Sequence, residues 1–160
     1  MWNNCCCNHP CPIFCGRLRC CTNDIVNPVL TGNFGYFNKI GETTVGGLGI
    51  IPVSFVLGEG TSVLPSAAVP GAVTLAQGTY EVSYFANVLI PASGTATIAL
   101  RLNGGLVNGS SVEVTGVAGE VVSISQTIML SVEQSSTLEL FNNTASNLTT
   151  TLSSLSIKKL

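Results

Sequence analysis

The feature that most constrains the fold is a two-residue alternation of apolar and polar side chains that recurs along the chain. It is clearest in residues 79–89 and returns in residues 95–103 and 120–133. Successive side chains of a β-strand point to opposite faces of a sheet, so each of these segments predicts a strand with one buried face. No stretch carries apolar residues at the helical spacing long enough to predict a helix.

Further segments rich in Val, Ile, Thr and aromatic residues complete the pattern, separated by Gly, Pro, Ser and Asn. Pro52 indicates an edge or a bulge in its segment, and Asn103-Gly104-Gly105 is typical of a hairpin turn. Many short strands at this spacing predict an all-β jelly-roll sandwich. The predicted strands are 33–40, 49–57, 72–75, 79–89, 95–103, 111–115, 120–133, 137–141 and 150–157. The predicted inward side chains of the three longest alternating segments are Tyr80, Val82, Tyr84, Ala86, Val88, Ala96, Ile98, Leu100, Leu102, Val122, Ile124, Gln126, Ile128 and Leu130.

The scarcity of charge predicts that the domain associates with copies of itself. Charged residues make up 9% of the chain, against about 25% in ordinary soluble domains. Residues 45–57 and 121–132 contain no charge at all. A monomer that exposed such strands would be adhesive, so we expect a closed oligomer, a homotrimer, that buries a sheet face or edge of each subunit.

Charge and hydropathy also exclude several classes of partner. The net charge of −2 and the absence of a basic patch argue against nucleic-acid binding. No run of 18 apolar residues predicts a membrane span, and no secretory signal is visible at the N-terminus. We therefore expect synthesis in the cytoplasm of the producing cell.

The composition changes sharply near residue 22, which predicts three parts: an arm at 1–22, a linker at 23–33 and the β domain at 34–160. All the cysteines lie in the arm, and a peptide so short has no core to bury them. Disulfides within or between arms are the favoured interpretation, and the odd count leaves at least one thiol that is either free or bonded to another chain. The cysteines concerned are Cys5, Cys6, Cys7, Cys11, Cys15, Cys20 and Cys21.

Two other chemistries remain open for the arm. Cys7, His9 and Cys11 are close enough in sequence to suggest a zinc site, although structural zinc sites usually draw paired ligands from two separate segments. A thioester-linked lipid on the triplet at residues 5–7 is a further alternative. No cofactor is expected.

The sequence offers few candidate catalytic residues. His9 and Asp24 are the only histidine and the only aspartate, and neither lies in the predicted domain. The glycines at 46–49 lack the Lys-Ser/Thr of a phosphate-binding loop. We therefore expect a protein that is not an enzyme. Arg101 interrupts an apolar strand and is expected to face solvent, with an ion pair across a subunit boundary as the alternative. The glutamates are expected to be solvated surface residues: Glu42, Glu59, Glu81, Glu113, Glu120, Glu133 and Glu139.

Several segments of the domain resemble one known family. GAVTLAQGTYEVSYFANV (71–88) resembles the central strand pair of TNF-like globular heads. TIALRLNGGLVNGSS (97–111), VVSISQTIMLSVEQSSTLELFNNT (121–144) and the closing SLSIKKL (154–160) resemble the C-terminal domain of BclA-type glycoproteins of the Bacillus exosporium. The resemblance implies a TNF-like jelly-roll protomer in a tight trimer on the spore surface. It is also consistent with a chain in which no secretory signal is visible, because exosporium proteins are made inside the mother cell.

The chain departs from that family where a collagen-like stalk would precede the domain. The cysteine-rich arm stands in its place, which indicates a subunit of a spore appendage or fibre, with itself and other exosporium or spore-coat proteins as partners. Trp2, Ile13 and Phe14 are the predicted apolar anchors by which the arm docks on a neighbouring trimer, head to tail. The alternative function is a trimeric binding or adhesion head that recognises a receptor or a glycan.

Overall fold

A computed structural model of the protein describes residues 32–160, and Gly32–Leu160 form one compact unit. The arm, with its cysteines and apolar anchors, and almost all of the linker lie outside the described residues. Within them every regular element is a strand, as the alternation predicts. The strands are β1 Phe34–Val45, β2 Ser54–Glu59, β3 Val63–Pro65, β4 Val73–Leu75, β5 Gly78–Leu89, β6 Thr95–Leu102, β7 Gly105–Leu106, β8 Val112–Thr115, β9 Val121–Val132, β10 Ser136–Asn142 and β11 Leu148–Lys159.

The strands form two sheets that pack face to face. One sheet has five strands in the order β2-β1-β11-β5-β9, and the other runs β3-β4-β10-β6-β7 with β8 also paired to β6. All the pairings are antiparallel. Many neighbouring strands are distant in sequence, because the chain crosses repeatedly from one sheet to the other through short connections, as in a jelly roll.

The core lies between the two sheets and confirms the predicted faces. The inward residues of β5 are buried throughout, from Tyr80 to Val88, and so are Ala96, Ile98 and Leu100 of β6. Leu102 is only partly buried, because the chain turns out of the sheet at the next residue. Ile124 and Leu130 of β9 are buried, whereas Val122, Gln126 and Ile128 are partly buried because β9 is the last strand of its sheet.

The prediction of one strand over residues 49–57 is wrong. Ile50 forms a bridge with Phe141, and the Ile51 N–H donates to the Leu140 carbonyl at 2.8 Å, so this end joins the sheet of β10. Pro52 has no N–H to continue a ladder, and β2 begins only at Ser54, in the opposite sheet. The short strands β3 and β7 were not predicted.

The prediction that Arg101 faces solvent is also wrong, and Glu139 is not a solvated surface residue. Arg101 lies on β6 opposite Glu139 of β10, and the two side chains form an ion pair within one subunit. Glu139 is 8% exposed. The Arg101 guanidinium also lies 4.9 Å from the centre of the Phe141 ring. The pairing is invisible in sequence because it joins strands that are far apart in the chain.

Two buried tyrosines tie loops to the core. The Tyr84 hydroxyl donates to the Ser110 carbonyl at 2.7 Å, and the Tyr80 hydroxyl donates to the Ala76 carbonyl at 2.7 Å. Burial raises the pKa of both phenols; for Tyr80 the hydrogen bond with Ser62 opposes part of that rise in pKa. Both side chains are therefore held neutral, as an apolar interior requires.

Candidate oligomer interface

The outer face of the five-stranded sheet carries very few charges. Register places its outward side chains in four rows across β1, β11, β5 and β9, and none of them is ionisable in the neutral range. Charges lie in the next row, where Lys158 lies opposite Glu81, and in the bulge of β1 between Ile40 and Thr43, where Glu42 is exposed. The four rows are Tyr36–Ser156–Ser83–Thr127, Asn38–Ser154–Phe85–Ser125, Ile40–Leu152–Asn87–Ser123 and Thr44–Thr149–Leu89–Val121.

The polar side chains of this outer face bond to one another across strands. Ser83 and Thr127 share a hydroxyl hydrogen bond of 2.8 Å, and so do Thr44 and Thr149. The Ser123 hydroxyl donates to the Asn87 amide oxygen at 2.8 Å. These six groups already have partners, so covering them would leave none of the six without a hydrogen bond.

Apolar side chains lie between these hydroxyls. Phe85, Tyr36 and Leu152 are half-buried at the middle of the outer face. Ile40 is 74% exposed, and Met129, opposite Glu81 in the charged row, is 60% exposed. The mixture of aromatic and aliphatic groups with satisfied hydroxyls is suited to burial against another protein surface.

Within residues 32–160, the edge of β9 that adjoins this face is unpaired and carries none of the usual protection. β9 pairs with β5 over its 12 residues without a break in register. It contains no charge and no proline. Natural proteins normally blunt a long, regular edge with charges, prolines or bulges, because its open backbone groups invite another chain.

The opposite edge of the same sheet is protected. β2 has 6 residues, its register with β1 shifts between Tyr36 and Phe37, and it ends at Glu59. Its side chains are nevertheless apolar and exposed: Phe55 is 46% exposed and Leu57 is 50% exposed. Leu57 lies opposite Tyr36, so it extends the outer face towards this edge.

One open concavity lies at an end of the sandwich, beside the turn after β6 and the connection from β9 to β10. It has a volume of about 500 Å³, and its lining is mostly amide and hydroxyl groups with a single carboxylate. Such a lining could hydrogen-bond a polar ligand. The lining residues are Leu102, Asn103, Ser131, Glu133, Gln134 and Ser136.

The residues predicted for chemistry are not brought together in the described part of the chain. Residues 32–160 contain no group of three or more His, Cys, Asp or Glu side chains that could hold a metal ion. The suggested ligands Cys7, His9 and Cys11 lie outside the described residues, as do the disulfide candidates and Trp2, Ile13 and Phe14. Nor does any helix within residues 32–160 have the length and hydropathy to cross a bilayer.

Sequence comparison finds no matching family model and no matching curated protein. Solved structures do match. Eiger TNF from S. frugiperda has a TM-score of 0.66 at 15% identity, covering 81% of this chain and 92% of that one. Murine APRIL at pH 5.0 has a TM-score of 0.61 at 12% identity, covering 79% and 99%. The globular domain of zebrafish complement 1qA has 0.56 at 8%, covering 78% and 94%.

These likenesses define the class of protein by its fold. Residues 32–160 form a TNF-like jelly-roll domain, as the resemblance implied. The identities are too low to carry more than the fold, since one fold hosts many functions.

Proposed function

We propose that the protein is a structural subunit that assembles into trimers, which join into a fibre on a spore surface. The observation that carries this proposal is the sparsely charged outer face beside the unprotected edge of β9. A subunit that worked alone would expose both to water. The five-stranded sheet therefore contributes the contacts, and the six-stranded sheet faces outward.

Within the proposed trimer, one repeated contact between subunits uses both the outer face and the β9 edge. The β9 edge of one subunit packs against the outer face of the next, around β1, β11 and β5. Because the two surfaces differ, the contact is heterologous, and a rotation that closes after three copies leaves neither surface unpaired. The apolar area buried contributes about 25 cal/mol per Å².

The arm at residues 1–22 supplies the connection between trimers in this proposal. Its support is compositional: apolar anchors at Trp2, Ile13 and Phe14 accompany the cysteines, and prolines keep a chain extended. Arm and linker together could reach on the order of 100 Å when extended. Docking on a neighbouring trimer is followed by disulfides among the arm cysteines, which lock the joint or fix it to a base layer of exosporium or spore-coat proteins.

The spore location rests on the resemblance of the domain, residues 34–160, to BclA-type domains. In that setting the chain is made in the mother cell and is oxidised after release, so a cytosolic origin and a cysteine-rich arm are compatible. The assembly needs no turnover, and we expect none from the domain.

Electron microscopy of three purified proteins tests the fibre. The full-length chain should form linear fibres. Deletion of residues 1–22 should leave trimers and abolish fibres. Changing all the cysteines to Ser should leave fibres that come apart in denaturant, because docking remains and the covalent lock is gone. Fibres from the deletion variant would show that the contacts lie between the domains and would overturn the connecting role of the arm.

The concavity lined by Asn103, Glu133 and Gln134 favours a second candidate function, a trimeric head that binds a polar ligand such as a glycan. Discrete trimers of the full-length chain that bind glycans, with loss of binding on Glu133→Ala, would support it. Fibres without glycan binding would support the structural role.

A further inference from the structure

Two Asn-Gly pairs lie five residues apart in the connection between β6 and β8: Asn103-Gly104 and Asn108-Gly109. An asparagine before glycine is chemically labile, because the glycine nitrogen, with no Cβ beside it, can approach the asparagine side-chain carbonyl. The reaction needs a free side-chain amide and a free glycine N–H. The structure distinguishes the two sites on the first requirement.

Asn103 is held in place. Its side-chain oxygen accepts from the Thr137 N–H at 2.8 Å, and its side-chain nitrogen donates to the Ser136 hydroxyl at 3.1 Å. Its backbone has a left-handed φ of 51° in the tight hairpin between β6 and β7, and its own N–H donates to the Thr137 carbonyl at 2.8 Å. The side chain must break two hydrogen bonds before it can cyclise.

Asn108 is exposed at the first central position of a turn that closes through the Ser110 N–H and the Val107 carbonyl at 3.2 Å. Gly109 occupies the second position with a φ of 75°, which favours glycine. Within residues 32–160 neither the Asn108 amide nor the Gly109 N–H has a hydrogen-bond partner. Both reacting groups are therefore free in the folded domain.

We propose that Asn108 is a site of spontaneous deamidation in the folded protein and that Asn103 is not. The Gly109 nitrogen attacks the Asn108 side-chain carbonyl carbon; the new carbon–nitrogen bond forms as the bond to the amide nitrogen breaks. Ammonia leaves with the proton of the glycine nitrogen, and a five-membered succinimide remains. Water then opens that ring to aspartate or isoaspartate. One amide and one water become one carboxylic acid and one ammonia, with no change of oxidation state.

The modification has a structural consequence because this turn is tied to both sheets. Ser110 is fully buried, and its carbonyl accepts from Tyr84 of β5. The Gly109 carbonyl accepts from the Gln126 side chain of β9 at 3.1 Å. Isoaspartate lengthens the backbone by one atom between two fixed points, so the contact with β9 is strained or lost. The product also places a new carboxylate in a domain with few charges.

Tandem mass spectrometry of the full-length protein, incubated at mildly alkaline pH with and without denaturant, tests the site. In the native protein Asn108 should lose its amide while Asn103 keeps it; in denaturant both amides should be lost at similar rates. Ser136→Ala should make Asn103 reactive in the native protein, and Asn108→Gln should abolish the early product. Asn103 reacting as fast as Asn108 in the native protein, or Asn108 remaining intact after the denatured sample has reacted, would overturn the proposal.

Discussion

At the scale of single residues, polar groups inside this domain come in matched sets. Arg101 has Glu139 and the Phe141 ring, and Tyr84 has the Ser110 carbonyl. No side-chain nitrogen or oxygen buried within residues 32–160 lacks a hydrogen-bond partner. Sequence could predict which tyrosines point inward, because alternation determines it, but not their acceptors, which lie on distant loops.

The Arg101–Glu139 pair should be strongly non-additive. Glu139→Leu or Arg101→Met alone should lower the free energy of unfolding by about 2 kcal/mol, because each leaves a partly buried charge without its partner. The double variant should lose less free energy of unfolding than either single variant, since it contains no charge without a partner. Urea unfolding of the four proteins measures the coupling, with the exposed Glu42→Gln as control. Additive losses would contradict the pairing.

Tyr80 and Tyr84 should make the fold sensitive to alkali. Their pKa is raised in the folded state, so the unfolded chain releases its phenolic protons first. The stability is fully present below the ordinary pKa of about 10 and is lost as the pH rises from there towards the raised pKa. Denaturant midpoints between neutral pH and strong alkali should show this fall. Tyr84→Phe should be less stable at neutral pH but should lose less on going to high pH; an equal fall in both proteins would contradict the account.

At the scale of elements, the alternating segments predicted β5, β6 and β9 to within one residue at most ends. Periodicity is a local signal, and long strands with one buried face carry it well. The prediction of one strand over residues 49–57 was wrong because the chain crosses from one sheet to the other at Pro52 without a change of composition. The outer face could be anticipated only as a lack of charge in residues 121–132; the rows that build it depend on register between distant strands.

Trypsin tests the burial of the β6 backbone. Arg101 is the only Lys or Arg between Lys39 and Lys158, and it lies in a strand paired with β10 on one side and β7 on the other. A protease needs an extended, accessible segment, so the folded domain should resist cleavage there and become susceptible only on heating. Gel analysis with time gives the result. Rapid cleavage at Arg101 without heating would mean that β6 is not paired as described.

A charge on the outer face should separate the subunits. Ser125 lies in the row of Phe85 and Asn38. Ser125→Lys should raise the dissociation constant of the trimer about a hundredfold or more, because burying an unpaired ammonium costs several kcal/mol. Thr115→Lys, on an exposed position of β8, is the matched control and should leave the trimer intact. Sedimentation of both variants measures the effect, and equal behaviour would place the interface elsewhere.

At the scale of the whole molecule, two parts of the chain have two tasks. Residues 32–160 supply a TNF-like jelly-roll domain with one sparsely charged face, and the proposed role of residues 1–22 is to join one assembly to the next. Sequence predicted the domain because its pattern repeats over most of the chain. It left the chemistry of the arm open, since seven cysteines allow many pairings and spacing alone does not choose among them.

The mass of residues 32–160 in solution tests the central claim most directly. We propose that a second and third copy cover the outer face and the open β9 edge, so the domain without its arm should scatter light as three copies at micromolar concentration. It should keep that mass in moderate salt, because apolar burial rather than charge holds the contact. A folded domain that remains a monomer under these conditions would contradict the account.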